Sequence, residues 1–186
     1  MSEMKDAVIL AAGMGTRLHP ITIAAPKCLT EVLGKPILWH ELAALEVAGI
    51  KRVTIVLGFC GQAIIDAFGD HFGAMAIQYI WNEIYAETNS MYSLWLAREA
   101  LSRGAVIIEG DVAIGREVIA HGMACIGDTG RSLWLVGRFG PEHDGSMSTT
   151  DDDGHIVDVR IVREQLEHYG DRQFKSAGIL LLQPEY

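Results

Sequence analysis

Cysteine is scarce in this sequence, and its three residues, Cys28, Cys60 and Cys125, are widely separated. An odd number of cysteines without a C-x-x-C pair argues against a disulfide framework and against a cysteine zinc site. The three cysteines are therefore predicted to be buried free thiols in a cytoplasmic protein.

Long apolar runs and a surplus of basic residues are also missing. No apolar stretch approaches the roughly 20 residues that a membrane-spanning helix needs, and we identify no signal peptide, so no membrane partner is expected. The chain has 15 lysines and arginines against 24 aspartates and glutamates, a net charge of −9. This balance argues against general nucleic-acid binding, which needs a basic face. A nucleotide remains compatible, because a few local cations or a metal ion can dominate one phosphate site.

The pattern that is present alternates strands with helices over 186 residues, of which 49% are hydrophobic. The predicted strands are residues 7–12, 52–57, 76–81, 105–109, 133–136, 146–150, 155–162 and 175–182. The predicted helices are residues 36–49, 62–68, 89–101 and 116–121. Repeated β-α-β units predict the α/β class, with a mostly parallel mixed sheet and a ligand outside the carboxyl ends of its strands. We expect one domain over residues 1–186 that lacks its C-terminal segment, since the last strand should lead into another element.

The densest chemical signal is the loop after the first strand, where LAAGMGTRL at residues 10–18 precedes Pro26 and Lys27. No Gly-Lys-Ser/Thr closes the loop as in a P-loop, and Leu18 occupies the third glycine position of a dinucleotide fingerprint. Gly13 and Gly15 would let the backbone approach a ligand and turn its N–H groups inward.

The remaining residues of this loop suit a nucleotide. Ala11 and Ala12 are small enough to leave space for a flat base, and Arg17 and Lys27 can reach phosphates from two sides. A glycine-rich turn with solvated cations would explain the glycines and the arginine equally well. The combination of an apolar strand, this loop and the Pro-Lys pair is much more specific.

On these motifs, residues 7–57 resemble the N-terminus of the sugar-phosphate nucleotidylyltransferase superfamily. The resemblance implies a Rossmann-like, three-layer nucleotide-diphospho-sugar transferase fold. It also implies that Arg17 and Lys27 act in catalysis, by stabilising the triphosphate and the charge at the α-phosphorus. The nucleotide-binding residues that it predicts in this loop are Leu10, Ala11, Ala12, Gly13, Gly15 and Thr16.

A second informative stretch, residues 82–94, lies between a strand and a helix. Helix N-termini favour anions, although simple N-capping by a residue of 88–90 would explain part of the pattern. Residues 82, 85, 88–89 and 93–94 resemble choline-phosphate and phosphonate cytidylyltransferases, and residues 144–147, 154–162 and 174–179 are similar to the phosphonate enzymes. The nucleotide-binding residues predicted here are Asn82, Thr88, Asn89 and Ser90.

The acceptor contacts are predicted more loosely, as Tyr85, Tyr92, Glu164 and Lys175. For Glu164 and Lys175 a plain surface position is an equally good interpretation. An aromatic cage for a quaternary ammonium group is a further possibility. Trp95 is instead expected in the core, because it shares a helical face with Met91, Leu94 and Arg98.

Asp111 follows Gly110 at the end of the strand 105–109. A carboxylate at this end of a parallel strand is placed to hold Mg²⁺, although a turn aspartate is the alternative. In the resembled family this aspartate coordinates the catalytic metal, so Asp111 is predicted to be a magnesium ligand. We identify no second ligand before Tyr186, and we interpret the acidic run 151–153 as a solvated hairpin turn.

These features predict a magnesium-dependent nucleotidyltransferase that transfers CMP from CTP to a small phosphate or phosphonate monoester and releases pyrophosphate. Two alternatives stay open. One is a sugar-1-phosphate uridylyl- or guanylyltransferase with the same fold. The other is a catalytically silent nucleotide-sensing domain, which the missing second metal ligand favours and the set of Arg17, Lys27 and Asp111 opposes.

Overall fold

The computed structural model of the chain describes residues 4–16, 25–140, 143, 145–163 and 170–184. Two predicted site residues, Arg17 and Glu164, lie outside the described residues. The chain divides into two compact units. The first comprises the described residues as far as Leu133 together with those from Leu180 onward, and the second is Trp134–Ile179. The expectation of one domain over residues 1–186 stays a prediction.

The first unit alternates strands and helices. Its strands are β1 (Asp6–Ala11), β2 (Glu31–Val32), β3 (Lys35–Pro36), β4 (Arg52–Leu57), β5 (His71–Phe72), β6 (Met75–Trp81) and β7 (Ala105–Glu109). Its helices are α1 (Ile37–Val47), α2 (Gly61–Phe68), α3 (Ser90–Leu96), α4 (Arg98–Leu101) and α5 (Val118–Thr129), with a 3-10 turn at Lys27–Leu29. Among the described residues, no helix is both long enough and apolar enough to cross a membrane.

The main sheet of the first unit has the strand order β7–β1–β4–β6–β5. The pairs β7–β1, β1–β4 and β4–β6 are parallel, and the short β5 is antiparallel to β6. Helices cover this sheet, and the predicted α/β class with a mostly parallel mixed sheet and a Rossmann-like transferase fold is confirmed.

The buried strands explain why the sheet was predictable. Parallel strands that are covered on both faces consist of nearly continuous apolar runs, and β4 is buried from Val53 to Leu57. On one face, Val8 of β1 packs with Ala97, which caps α4, and with Ala100 of α4. Ile9 of β1 points to the opposite face and is also fully buried, so both faces are covered.

Several elements differ from the sequence-based expectation. The helix expected over residues 89–101 is interrupted at Ala97, where the backbone leaves helical geometry (φ −89°, ψ 12°). The helix expected over residues 116–121 extends to residue 129, because Gly122 and Gly127 weaken the helical pattern without ending the helix. The two-residue strands β2, β3 and β5 are too short to show a period in the sequence.

The cysteines correct a further expectation. All three are free, but only Cys28 is buried, whereas Cys60 and Cys125 are exposed. The prediction of three buried thiols is therefore wrong for two of them. Cys60 precedes α2 in a left-handed conformation (φ 50°), a position on the surface where the chain turns.

The second unit contains β8 (Leu133–Arg138), which begins at the unit boundary, β9 (Gly145–Thr150), β10 (Ile156–Val162) and most of β11 (Gln173–Leu182). In it β9 lies between β10 and β11 and is antiparallel to both, while β8 also pairs with β11. The turn between β9 and β10 is closed by Asp151, whose Oδ1 accepts hydrogen bonds from the backbone N–H groups of Asp153 (3.0 Å) and His155 (2.8 Å). These bonds agree with the predicted hairpin turn, in which ligand atoms of Asp151, Asp153 and His155 also lie within 4.8 Å of one another.

Asp6, at the start of β1, is a buried charge that two arginines share. Its side chain is 4% exposed, and it accepts hydrogen bonds from Arg52 Nη2 (2.6 Å) and Arg103 Nη2 (3.0 Å). Burial alone would raise the pKa of Asp6, but the two guanidinium groups outweigh it and hold the pKa below its usual range. Asp6 therefore ties the start of β1 to β4 and to the segment before β7.

We expect Asp6→Asn to lower the free energy of unfolding by about 1.5–3 kcal/mol at pH 7, because hydrogen bonds to a charged group contribute on this scale. The folded pKa is depressed, so this contribution is present above the pKa of about 3.9 of an unfolded aspartate. It is lost as the pH falls toward the folded value. Urea unfolding of both proteins should show a difference that shrinks below about pH 4. A difference that stays constant down to pH 3 would contradict this assignment.

Candidate active site

A cavity of about 360 Å³ opens in the first unit at the carboxyl ends of β1, β6 and β7. The hydrogen bonds of the sheet continue beyond these strands and hold their exit loops together. Gly110 N donates to Leu10 O (3.0 Å), and Asn82 N donates to Leu57 O (2.8 Å). Segments that are far apart in sequence therefore begin from one edge of the sheet.

Every residue predicted to bind the nucleotide lines this cavity. They are Leu10, Ala11, Ala12, Gly13, Gly15, Thr16, Asn82, Thr88, Asn89 and Ser90. Lys27, Asp111 and Tyr85 line it as well. The sequence thus located the residues that surround the cavity, while their roles stay predictions.

Lys27 and Asp111 meet inside the cavity. Lys27 begins the 3-10 turn, and its amino group donates a hydrogen bond to the carboxylate of Asp111 in a direct ion pair. The two side chains are 28% and 33% exposed, so both can be reached from solvent. The pair places one cation and one anion where the exit loops of the sheet converge.

Asn82 organises the polar wall of the cavity. It is buried, and its Nδ2 donates to Thr88 Oγ1 and to Ser93 Oγ, both at 3.1 Å. Its Oδ1 accepts a hydrogen bond from the backbone N–H of Ile84 (3.2 Å). Asn89 caps α3, since its Oδ1 accepts from the backbone N–H of Met91 (3.0 Å). These side chains shape the loop after β6 in addition to lining the cavity.

Four lining residues were not predicted as site residues: Cys28, Ser93, Glu109 and Gly110. Burial and the neighbouring Glu41 raise the pKa of the Cys28 thiol to about 12, so this thiol is a neutral lining group and not a nucleophile. Ser93 and Gly110 lie next to predicted residues and could have been inferred from their position. Glu109 gave no signal beyond its place two residues before Asp111.

The predicted acceptor contacts are dispersed. Tyr85 lines the cavity and packs against Phe59 with the ring centroids 6.4 Å apart. Tyr92 does not line the cavity, and its ring stacks on Trp95 with a centroid distance of 5.6 Å. Lys175 lies on β11 in the second unit and does not line the cavity. The structure therefore brings only Tyr85 of these described residues to the cavity.

Trp95 is a correction to the expectation that it lies in the core. It is 54% exposed. Its ring is covered by Tyr92 on α3 and by the guanidinium group of Arg98, which lies 4.3 Å from the ring centroid. Helical spacing located the right neighbours, but they cover Trp95 at the surface.

The oxygen ligands of the cavity suit Mg²⁺. This ion commonly binds through one or two carboxylates, with waters and substrate phosphates completing its octahedral shell. The carboxylate of Asp111 lies in the cavity, and Glu109 lines the same cavity. One carboxylate ligand, Asp111, is therefore enough for a magnesium ion whose remaining ligands are waters and the phosphates of a nucleotide.

Residues 7–152 match the family model of the MobA-like NTP transferase domain. The chain belongs to this family. Because this family consists of nucleotidyltransferase domains, the match confirms the superfamily resemblance that the loop after β1 indicated. The family match covers the strands, loops and cavity of the first unit up to β8, and continues to the turn after β9.

The names of individual relatives refer to phosphonates or phosphocholine. This chain is 39% identical over 183 residues to CMP-5'-(3-aminopropyl)phosphonate synthase of Streptomyces rubellomurinus, an alignment that covers 97% of this chain and 28% of that protein. It is 30% identical over 159 residues to 2-aminoethylphosphonate cytidylyltransferase of Lancefieldella rimae, covering 85% of this chain and 61% of that protein. The chain thus spans less than two thirds of the length of either relative.

A solved structure shows the same fold. The structure of CTP:phosphocholine cytidylyltransferase from Streptococcus pneumoniae matches with a TM-score of 0.78 at 25% sequence identity, covering 96% of this chain and 70% of that chain. The predicted similarity to choline-phosphate and phosphonate cytidylyltransferases is confirmed by these three proteins.

Gly58, directly after β4, permits the close approach of two cavity segments. A Cβ atom at this position would lie 2.5 Å from Ala12 O and 2.8 Å from Tyr85 Cβ. We expect Gly58→Ala to displace Tyr85 and to lower the free energy of unfolding by about 1–3 kcal/mol, as overpacking does. Chemical denaturation measures the effect.

Gly127→Ala in α5 is the matched control, because among the described residues a Cβ there meets no atom within 4 Å beyond its chain neighbours and the backbone of its own helix. Replacing a glycine inside a helix by alanine stabilises by roughly 0.5–1 kcal/mol. The two variants should therefore shift stability in opposite directions. Wild-type stability of Gly58→Ala would contradict the close contact.

Proposed function

We propose that this domain transfers CMP from CTP to a small phosphate or phosphonate monoester and releases pyrophosphate. The observation that supports it best is the convergence of Lys27, Asp111 and every predicted nucleotide-binding residue on one cavity. The choice of CTP follows the relatives, whose names contain CMP, CTP or cytidylyltransferase. The cytoplasmic location expected from the cysteines remains a prediction.

The proposed reaction needs little covalent help from the protein. The acceptor oxygen of a phosphate or phosphonate is already anionic near neutral pH, so it can attack the α-phosphorus of CTP without a general base. Catalysis then consists of positioning and electrostatic stabilisation. Lys27 supplies positive charge in the cavity, and Arg17 is expected to assist it from the same loop region.

The nucleotide base is assigned to the segment that follows β1. Ala11 and Ala12 are small and buried, and Gly13 and Gly15 carry no side chain that would block the backbone from the ligand. The residues around Asn82 form the polar wall beside it. Small residues beside hydrogen-bonding groups match what a flat, polar base requires.

Magnesium is the proposed cofactor, with Asp111 as its protein ligand and Glu109 in the same cavity. A bound Mg²⁺ would supply Lewis-acid stabilisation of the charge on the reacting phosphates. Lys27 would supply positive charge beside the ion, and it would compete with the ion for the Asp111 carboxylate.

The acceptor is assigned to the part of the cavity beside Tyr85. Tyr85 is retained as an acceptor contact because it lines the cavity. For Tyr92, Lys175 and Glu164 the role of acceptor contact stays a prediction. The phosphonate and phosphocholine acceptors named for the relatives define the compounds to test.

Nucleotide choice can be tested by thermal unfolding with Mg²⁺ and each of CTP, UTP, GTP and ATP. A ligand at 100 times its Kd stabilises by about 2.7 kcal/mol, which is a shift of roughly 5–10 °C for a chain of this size. We expect this shift with CTP, together with pyrophosphate release when phosphocholine or 2-aminoethylphosphonate is added. Asp111→Asn should lower the rate by roughly 10²–10³.

Other results would favour the alternatives. A shift with UTP or GTP and turnover of a sugar 1-phosphate would replace the cytidylyl assignment by a sugar-phosphate enzyme. Tight CTP binding without turnover of any acceptor would indicate a nucleotide-sensing domain. Absence of a shift with all four nucleotides would contradict the proposed site.

The Lys27–Asp111 ion pair leads to a second test, which uses Mn²⁺ as a probe for the metal site. Lys27→Gln removes the cation that competes for Asp111, and a partly exposed ion pair contributes up to about 1 kcal/mol. We therefore expect Mn²⁺ affinity without nucleotide to rise up to roughly fivefold. Turnover should fall by roughly 10²–10³.

Lys51→Gln is the control, since Lys51 is an exposed lysine that does not line the cavity. It should change neither Mn²⁺ affinity nor turnover. Isothermal titration measures the affinity, and pyrophosphate release measures the rate. Lower Mn²⁺ affinity in Lys27→Gln would show that Lys27 does not compete with the metal for Asp111.

A further inference from the structure

Glu41 is a carboxylic acid in the middle of α1 with none of its surface exposed. Its Oε1 accepts a hydrogen bond from the backbone N–H of Val112 at 3.1 Å. Val112 directly follows Asp111, the candidate metal ligand. One buried side chain therefore joins α1 to the loop that carries this ligand, across 71 positions of sequence.

The loop after β7 is held at three successive backbone N–H groups. Gly110 N donates to Leu10 O on β1 (3.0 Å), and Asp111 N donates to Glu109 O at the end of β7 (2.7 Å). The third N–H, of Val112, is the one that Glu41 binds. Of these three bonds only the last has a side-chain acceptor, so it can be removed by substitution without changing the backbone of the loop.

The acceptor atom of Glu41 is Oε1, which receives the hydrogen bond from the backbone N–H of Val112. Burial raises the pKa of Glu41 to about 8, and the nearby Asp111 carboxylate acts in the same direction. Its Oε2 is buried and has no hydrogen-bond partner among the described residues. A glutamine side chain offers the same acceptor at nearly the same volume.

A purely structural role would not require an acid at this position. Leu38, Leu42 and Leu45 of the same helix are fully buried. A buried polar group is unfavourable unless its hydrogen bonds compensate, and Glu41 has one unsatisfied oxygen. An apolar residue of similar size would satisfy the packing of α1 but would leave the loop without its third anchor.

We propose that Glu41 is a positioning residue, which fixes the direction of the Asp111 carboxylate in the cavity by binding the adjacent N–H of Val112. This inference rests on the proposed function, where Asp111 holds the metal. Removing a residue that orients a metal ligand through a hydrogen bond typically lowers metal affinity or activity by roughly 10–100-fold. Glu41 should act on this scale without touching the metal or the substrate.

The test compares Glu41→Gln with Glu41→Leu. The glutamine keeps the acceptor, so we expect Mn²⁺ affinity and kcat close to wild type. The leucine removes the acceptor, so Mn²⁺ affinity and kcat should each fall roughly 10–100-fold. Its KM for the acceptor should change little, and its melting temperature should be equal to or above that of wild type. Isothermal titration with Mn²⁺ alone measures the site independently of turnover.

Asp111→Asn separates the failure of this inference from the failure of the proposed function. If Asp111→Asn leaves Mn²⁺ binding intact, the proposed metal site is wrong. If Asp111→Asn abolishes Mn²⁺ binding while Glu41→Leu binds as wild type, the metal site stands and the positioning role of Glu41 is wrong. Glu41→Met replaces the leucine variant if that variant does not fold. Failure of both apolar variants to fold, with Glu41→Gln intact, would make Glu41 a structural residue and overturn the inference.

Discussion

The parallel pairing of β1 with both β4 and β7 is the constraint on which the rest of the first unit depends. Parallel strands end at the same edge of a sheet, and ligands of such sheets bind outside that edge. The loop with Gly13 leaves β1 there, and Asp111 follows β7 at the same place. These residues therefore meet through strand pairing, although they are far apart in the sequence.

The buried part of the fold was predictable because burial on both faces leaves a direct pattern in the sequence. Residues 52–57 and 105–109 were predicted with the observed bounds, since both are nearly continuous apolar runs. The helix α5 was underestimated because its two glycines resemble a stop signal, and only packing against α1 shows that it continues. Trp95 was misplaced because helical spacing does not tell which side of a helix faces the sheet.

The candidate site was predictable where its functional residues directly follow a strand in the sequence. The glycine loop follows β1 and Asp111 follows β7, so both have this property, and Gly13, Gly15 and Asp111 line one cavity. Glu41 could not be found in this way. A single acid beside Leu42 in a helix resembles an exposed residue at the border of an apolar face. Its importance depends on a loop 71 positions away, and only tertiary contact reveals it.

The two glycines at the strand ends limit how this site can change during evolution. A side chain at Gly58 would collide with Ala12 O, and one at Gly110 would come within 2.8 Å of Leu10 O, so neither position can accept a new functional group without a shift of the backbone. Divergence toward another acceptor therefore has to use the segments that leave the sheet, such as the loop around Tyr85. Sequence variation within the family should accordingly concentrate in those loops, while the strand ends keep their small residues.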